Sequence, residues 1–246
     1  MTTSVNPARG GKANFPYILA QSAVPVCLAP NGTIATNGTV TLGTALPTTY
    51  SGGIWLRFPA NAVSGDSTGG LYWTIMSSTT VGVVYAGEVD TATEFVPYIG
   101  STAGGAVTGS NSAYTQTTAA DVTLVNVTVP GGAMGANGAT RLSVLRFVFP
   151  NNANAKTLAA KFGSSYFGIN NTTTTSSGQG YIASIRNRGV LTRQVAAAAN
   201  ADTGTNAATY TSVNTANDQP MTISCLLATA TDYIVLEGFT VEVLPG

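Results

Sequence analysis

The chain has 246 residues, enough to bury the core of one large β domain or two small ones. Ten basic and ten acidic residues cancel, and only 8% of the chain is charged, against about 25% in an ordinary soluble domain. Histidine is absent, which removes the usual general base near neutral pH and the commonest metal ligand; the two cysteines are too few for a disulfide framework or a four-ligand zinc site.

Residues 1–26 carry Pro7, Pro16 and Pro25 without alternation and read as an extended N-terminal arm rather than a sheet strand. The arm has Arg9 and Lys12 but no apolar run of signal-peptide length, and no stretch reaches the ~18 apolar residues of a membrane helix. The expectation is a soluble protein made in a cytoplasm. Cys27 is read, with Cys225, as a buried thiol, a bridge between the two ends of the domain being the alternative. Residues 33–42 (TIATNGTVTL) contain Asn37-Gly38, the strongest hairpin signal in the chain.

Strands are then predicted at 53–58 (GIWLRF), 71–76 (LYWTIM), 81–86 (VGVVYA), 121–129 (DVTLVNVTV), 141–149 (RLSVLRFVF), 179–186 (QGYIASIR), 221–228 (MTISCLLA) and 233–244 (YIVLEGFTVEVL). Each is rich in β-branched and aromatic residues and bounded by turn chemistry. Arg141 to Gly163 reads as a central hairpin, with its second strand from Lys156 to Phe162. Residues 100–120 and 170–180 are polar, low-complexity loops, and 195–201 (VAAAANA) is the best helix candidate. The fold class is all-β, a jelly-roll-like β-sandwich with an extended N-terminal arm. One domain over 27–246 is favoured, with a split near residue 115 as the alternative.

Several motifs imitate chemistry. GDSTGG at 65–70 resembles the surroundings of a serine nucleophile, but no histidine exists to take the serine proton, and Gly, Asp and Ser are ordinary turn residues. Carboxylate pairs for glycoside cleavage can be drawn from Asp66, Glu88, Asp90, Glu94, Asp232, Glu237 and Glu242. Solvated strand faces explain them more simply: Glu242 alternates with Phe239, Val241 and Val243, and Glu237 breaks phase only if Gly238 marks a bulge. No phosphate loop or dinucleotide fingerprint occurs. No catalytic residue, metal ligand or cofactor is assigned.

Charge is distributed unusually. Val122 to Ala201 contains no acid but seven basic residues: Arg141, Arg146, Lys156, Lys161, Arg186, Arg188 and Arg193. That density is too low for a nucleic-acid groove, which also wants interleaved exposed aromatics. The readings left are solvated charges or salt bridges to the acidic flank of a neighbouring subunit.

Four segments carry a resemblance. MGANG at 134–138 running into RLSVLRFVF, an Asn-rich turn, Lys156-Thr-Leu and Lys161-Phe-Gly form one; YSGGIWLRFP at 50–59, LYWTIMSSTTVGVVY at 71–85 and TDYIVLEGFTVEVLPG at 231–246 are the others. Together they resemble uncharacterised virion structural proteins of tailed bacteriophages, of the capsid decoration (cement), head-fibre or tail-fibre-tip type. The resemblance implies a β-rich, commonly trimeric, non-enzymatic particle component that joins the major capsid protein or another virion protein. Expected interface residues are Arg9, Lys12, Phe15, Tyr17, Arg141, Arg146 and Lys161, with no membrane or nucleic-acid partner. A fibre tip that recognises host surface carbohydrate through the long loops is the alternative, and a glycan-depolymerising spike is a third reading.

Overall fold

A computed structural model describes residues 15–23, 25–84, 112–199 and 209–246. In chain order the strands are β1 Tyr17–Ser22, β2 Val26–Leu28, β3 Gly32–Ile34, β4 Thr39–Leu42, β5 Ile54–Arg57, β6 Leu71–Met76, β7 Val81–Val84 and β8 Ser112–Tyr114. There follow β9 Val122–Val129, β10 Ala139–Val148, β11 Lys156–Phe162, β12 Ser165–Thr173, β13 Gly178–Asn187, β14 Gln194–Ala199, β15 Thr209–Thr211, β16 Gln219–Leu227 and β17 Ile234–Leu244. One 3-10 turn spans Thr48–Tyr50, and no α-helix occurs among the described residues.

The strands form two sheets. The large one runs β15-β14-β13-β10-β17-β2-β5-β6-β7-β4-β3-β8, with β1 also on β17; the small one runs β12-β11-β16-β9. Leu142, Phe147, Ile185 and Val241 of the large sheet pack against Leu158, Phe162, Phe167 and Ile223 of the small one. This is the all-β sandwich that the alternation predicts.

A second core lies on the opposite side of the large sheet. It contains Cys27, Ile34, Ile54, Phe58, Tyr72, Tyr114 and Val235. Strands β2, β5, β6 and β17 serve both cores with alternate side chains: Val26 and Leu28 face the first and Cys27 the second, Trp55 the first and Ile54 and Leu56 the second, Leu71 the first and Tyr72 the second, Ile234 and Leu236 the first and Val235 the second. Burial on both faces is why VCL, IWL and IVL are uninterrupted apolar runs. The second core draws on residues 27–114 with Val235 of β17, Tyr233 just before it and Val148 of β10 at its edge, and the continuous large sheet joins it to the first.

Three expectations are corrected. Residues 17–22 are a strand, not part of a free arm: β2 pairs with only Ile234–Leu236 of β17, and β1 satisfies the rest of that edge, Tyr17 opposite Val243 through Ser22 opposite Phe239. Residues 194–199 are strand rather than helix, since β14 pairs with β13 from Ile182–Ala199 to Asn187–Gln194. The stretch from Arg141 to Gly163 is not a hairpin. β10 pairs with β13 and β17, whereas β11 pairs with β12 and β16 in the other sheet. The Pro150–Asn154 turn therefore carries the chain across the sandwich. The Asn37-Gly38 hairpin is present: β3 and β4 pair, Gly38 has φ 81°, and Asn37 Oδ1 accepts from Thr39 N at 3.0 Å.

Candidate interaction surface

The outer face of the large sheet is assembled from alternate residues of β1, β17, β10 and β13. One row across it reads Ile18, Glu242, Arg141, Ser184, and the next Gln21, Thr240, Ser143, Ile182. Beyond them β10 skips a partner at Leu145 and β17 at Glu237, a paired irregularity beside Gly238. This bulge, the condition under which Glu237 breaks phase at Gly238, keeps Val144 and Phe147 inward while presenting both Leu145 and Arg146 to solvent. Leu145 is 70% exposed, Ile182 50% and Ile18 42%, so three branched aliphatic side chains stand on a face whose other members are polar or charged.

Of the expected interface residues, Phe15 is exposed just before β1, and Tyr17 packs partly against the first core. Arg9 and Lys12 lie outside the described residues. Arg141 and Arg146 reach the outer face of the large sheet. Lys161 does not join them, because it belongs to β11 in the small sheet.

Two of these cations already have partners in their own chain. Arg141 Nε donates to Glu242 Oε2 at 2.5 Å. Lys161 Nζ donates to Asp121 Oδ2 at 2.8 Å and sits 4.7 Å from the Tyr166 ring centre, while the Tyr166 hydroxyl donates to the same oxygen at 3.0 Å. The hydrogen bond to Asp121 raises the Lys161 pKa. A third pair joins Lys156 to Asp232 at 3.5 Å. In all three, a base from the acid-free middle meets an acid from a flank of the same chain, so the fold itself pairs three of the seven bases of that stretch.

Asp66, Glu237 and Glu242 are each held by separate partners. Asp66 caps its own loop, accepting from Gly69 N at 2.9 Å, Thr68 N at 3.1 Å and the Tyr72 hydroxyl at 2.9 Å. Burial pushes its pKa up, but those hydrogen bonds outweigh it and hold the group below its usual value. Glu237 accepts from the Tyr50 hydroxyl, and Glu242 is paired as above. Glu88, Asp90 and Glu94 lie outside the described residues. Among the described residues no group of three His, Cys, Asp or Glu side chains could hold a metal ion.

The sequence reading missed Ile18, Leu145 and Ile182. For Leu145 a signal existed in the break of alternation across VLRF; nothing local marks Ile182 as outward. It also missed that Lys156 is in phase with Leu158, Ala160 and Phe162, the inward side of β11.

No protein-family model matches the chain, and no curated protein matches it. Among solved structures it is similar to a chain described as the structure of infectious bursal disease virus Gx strain, with 15% identity over 94% of this chain and 66% of that one, at a TM-score of 0.16. A likeness at that score carries no argument about fold or function.

Proposed function

We propose that the chain is a structural protein of a virion, of the tailed-bacteriophage decoration or head-fibre kind. In this reading it assembles as a homotrimer and docks on the major capsid protein or another particle protein. The observation that carries the reading is the outer face of the large sheet, where Ile18, Leu145 and Ile182 stand exposed among polar side chains and Arg141, one of its cations, is already paired with Glu242. A face of that kind gives up little hydration when a partner covers it. The four resembling sequence segments point the partner toward a phage particle.

The test is Leu145→Lys combined with Ile182→Lys. Both side chains face solvent, so the expected variant unfolds at the wild-type urea concentration but is monomeric and absent from particles. Wild-type protein that stays monomeric and is not retained by purified particles overturns the proposal. Particles that take up the variant normally but no longer adsorb to cells support a carbohydrate-binding fibre tip instead.

A further inference from the structure

Asn152, Lys156 and Asp232 form a buried cluster at the end of the sandwich where three connections cross between the sheets. Asn152 lies on the crossing from β10 to β11, Lys156 opens β11, and Asp232 lies on the crossing from β16 to β17. From the third crossing, β12 to β13, Thr175 N donates to the Asn152 carbonyl at 2.7 Å. Lys156 is fully buried and Asp232 is 4% exposed.

The polar contacts are arranged as a reaction would need them. Lys156 Nζ touches Asn152 Oδ1, and so lies against the carboxamide. Asn154 N donates to the same Oδ1 at 3.0 Å. Asp232 spans the two nitrogens: Oδ1 accepts from Asn152 Nδ2 at 2.9 Å, and Oδ2 lies 3.5 Å from Lys156 Nζ with no hydrogen-bond partner. Nucleophile, electrophile, an oxyanion donor and a carboxylate reaching both the attacking and the leaving nitrogen are together, with Lys156 and Asp232 shut away from water and Asn152 half-buried.

We propose that Lys156 and Asn152 become joined by an intramolecular isopeptide bond formed without any other enzyme, with Asp232 as the catalytic carboxylate. Asp232 Oδ2 takes one proton from the ammonium, freeing the lone pair of Nζ. That pair attacks Asn152 Cγ, and the electrons of the C=O bond move to Oδ1, where the Asn154 N–H stabilises the negative charge. Asp232, protonated in the first step, gives that proton to Nδ2 and, a carboxylate again, takes the second proton from the attacking nitrogen. The C=O bond reforms, the Cγ–Nδ2 bond breaks, and ammonia leaves. The products are a secondary amide, ammonia and a protonated Asp232, so atoms and charge balance and no oxidant is consumed. A buried ion pair, costly to desolvate, is replaced by neutral groups. The inference does not depend on the virion reading.

The experiment is mass spectrometry of the purified full chain. The expected intact mass is short of the sequence mass by one ammonia. After unfolding, the Lys156 amine resists acylating label, trypsin fails to cut after it, and the deficit maps to the peptide holding Asn152 and Lys156. Asn-Gly steps at Asn31, Asn37 and Asn137 can also lose ammonia by closing to succinimides, but hydroxylamine cleaves those and leaves an isopeptide intact. Lys156→Arg and Asp232→Asn are expected to keep the full mass in that peptide. Because either could misfold, the wild type decides: a labelled Lys156 amine, or a full-mass Asn152–Lys156 peptide, overturns the proposal. A bond that persists in Asp232→Asn overturns the role of Asp232.

Discussion

Arg141 and Glu242 sit directly opposite each other on β10 and β17, and the ion pair between them lies on the open face of the large sheet. The arginine side chain is 45% exposed and the glutamate 23%. A pair so wetted contributes about 0–1 kcal/mol. Arg141→Ala is therefore expected to lower the unfolding free energy in urea by no more than about 1 kcal/mol, and Arg141→Glu combined with Glu242→Arg to recover most of it. A loss of several kcal/mol would show that the face is more desolvated than these exposures indicate.

Leu145 and Phe147 are two residues apart and opposite in consequence. Phe147 is fully buried and packs edge-on against Tyr181 at 6.3 Å between ring centres. Phe147→Ala is expected to cost about 3–5 kcal/mol through lost burial and the cavity left behind. Leu145→Ala is expected to change stability by less than about 0.5 kcal/mol. Paired denaturant titrations check both, and similar costs at the two positions would refute the bulge that separates them.

That bulge also shows what the sequence could and could not reveal. Period-two patterning located Leu71–Met76 and Lys156–Phe162 to the residue, because each is short and flanked by turn chemistry. It could not pair them. Pro150 and the asparagines after it suit a hairpin turn and a crossing between sheets equally well, and only distant partners, Met221–Leu227 for β11 and Val235–Leu244 for β10, decide between the two. β1 escaped notice for a related reason. It pairs with β17 along one edge and is only half-buried, so its sequence never needed strict alternation. The Asn152–Lys156–Asp232 cluster joins positions 80 apart, Asn152 and Asp232, and no local pattern brings such residues together.

Gly138 lies where three backbone segments meet. A Cβ there would fall 1.8 Å from Met134 O and 2.4 Å from Leu244 O, neither of which can move without disturbing the β9–β10 connection or the end of β17. Gly138→Ala is expected to destabilise by about 2 kcal/mol or more, in the range of overpacked sites. Gly132→Ala is the comparison: its φ of 76° strains an alanine, but nothing lies within 4 Å of the added carbon. Its cost is expected near 1 kcal/mol. Thermal unfolding of the two variants gives the order, and a reversed order would mean that backbone strain outweighs steric clash here.

Removing β1 separates a docking segment from a structural one. Tyr17, Leu19 and Ala20 pack against the first core, and β1 covers the edge of β17 from Phe239 to Val243. Deletion of residues 1–22 uncovers that edge and is expected to lower the unfolding midpoint below that of a chain lacking only residues 1–14. Equal midpoints for the two truncations would contradict a structural role for the strand, whatever either does to particle binding.

The two thiols make stability fall at alkaline pH. Burial lifts the pKa of Cys27 well above its ordinary 9.0, with the charge of Cys225 adding to the effect; burial also lifts Cys225, with Asp121 adding. A raised folded value means that the folded chain keeps a proton which the unfolded chain gives up. The stabilisation is therefore complete below pH 9.0 and is lost as pH rises from there toward the folded values. Each thiol contributes a slope approaching about 1.4 kcal/mol per pH unit once the unfolded thiol is ionised. Tyr50, Tyr72 and Tyr114 are also raised, first by burial, but their ordinary value is 10.0, so the onset between pH 9 and 10 belongs to the cysteines. Urea unfolding at half-unit pH steps is expected to show that onset in the wild type and to lose it in Cys27→Ala combined with Cys225→Ala. An unchanged slope in the double variant would assign the alkaline transition to other groups.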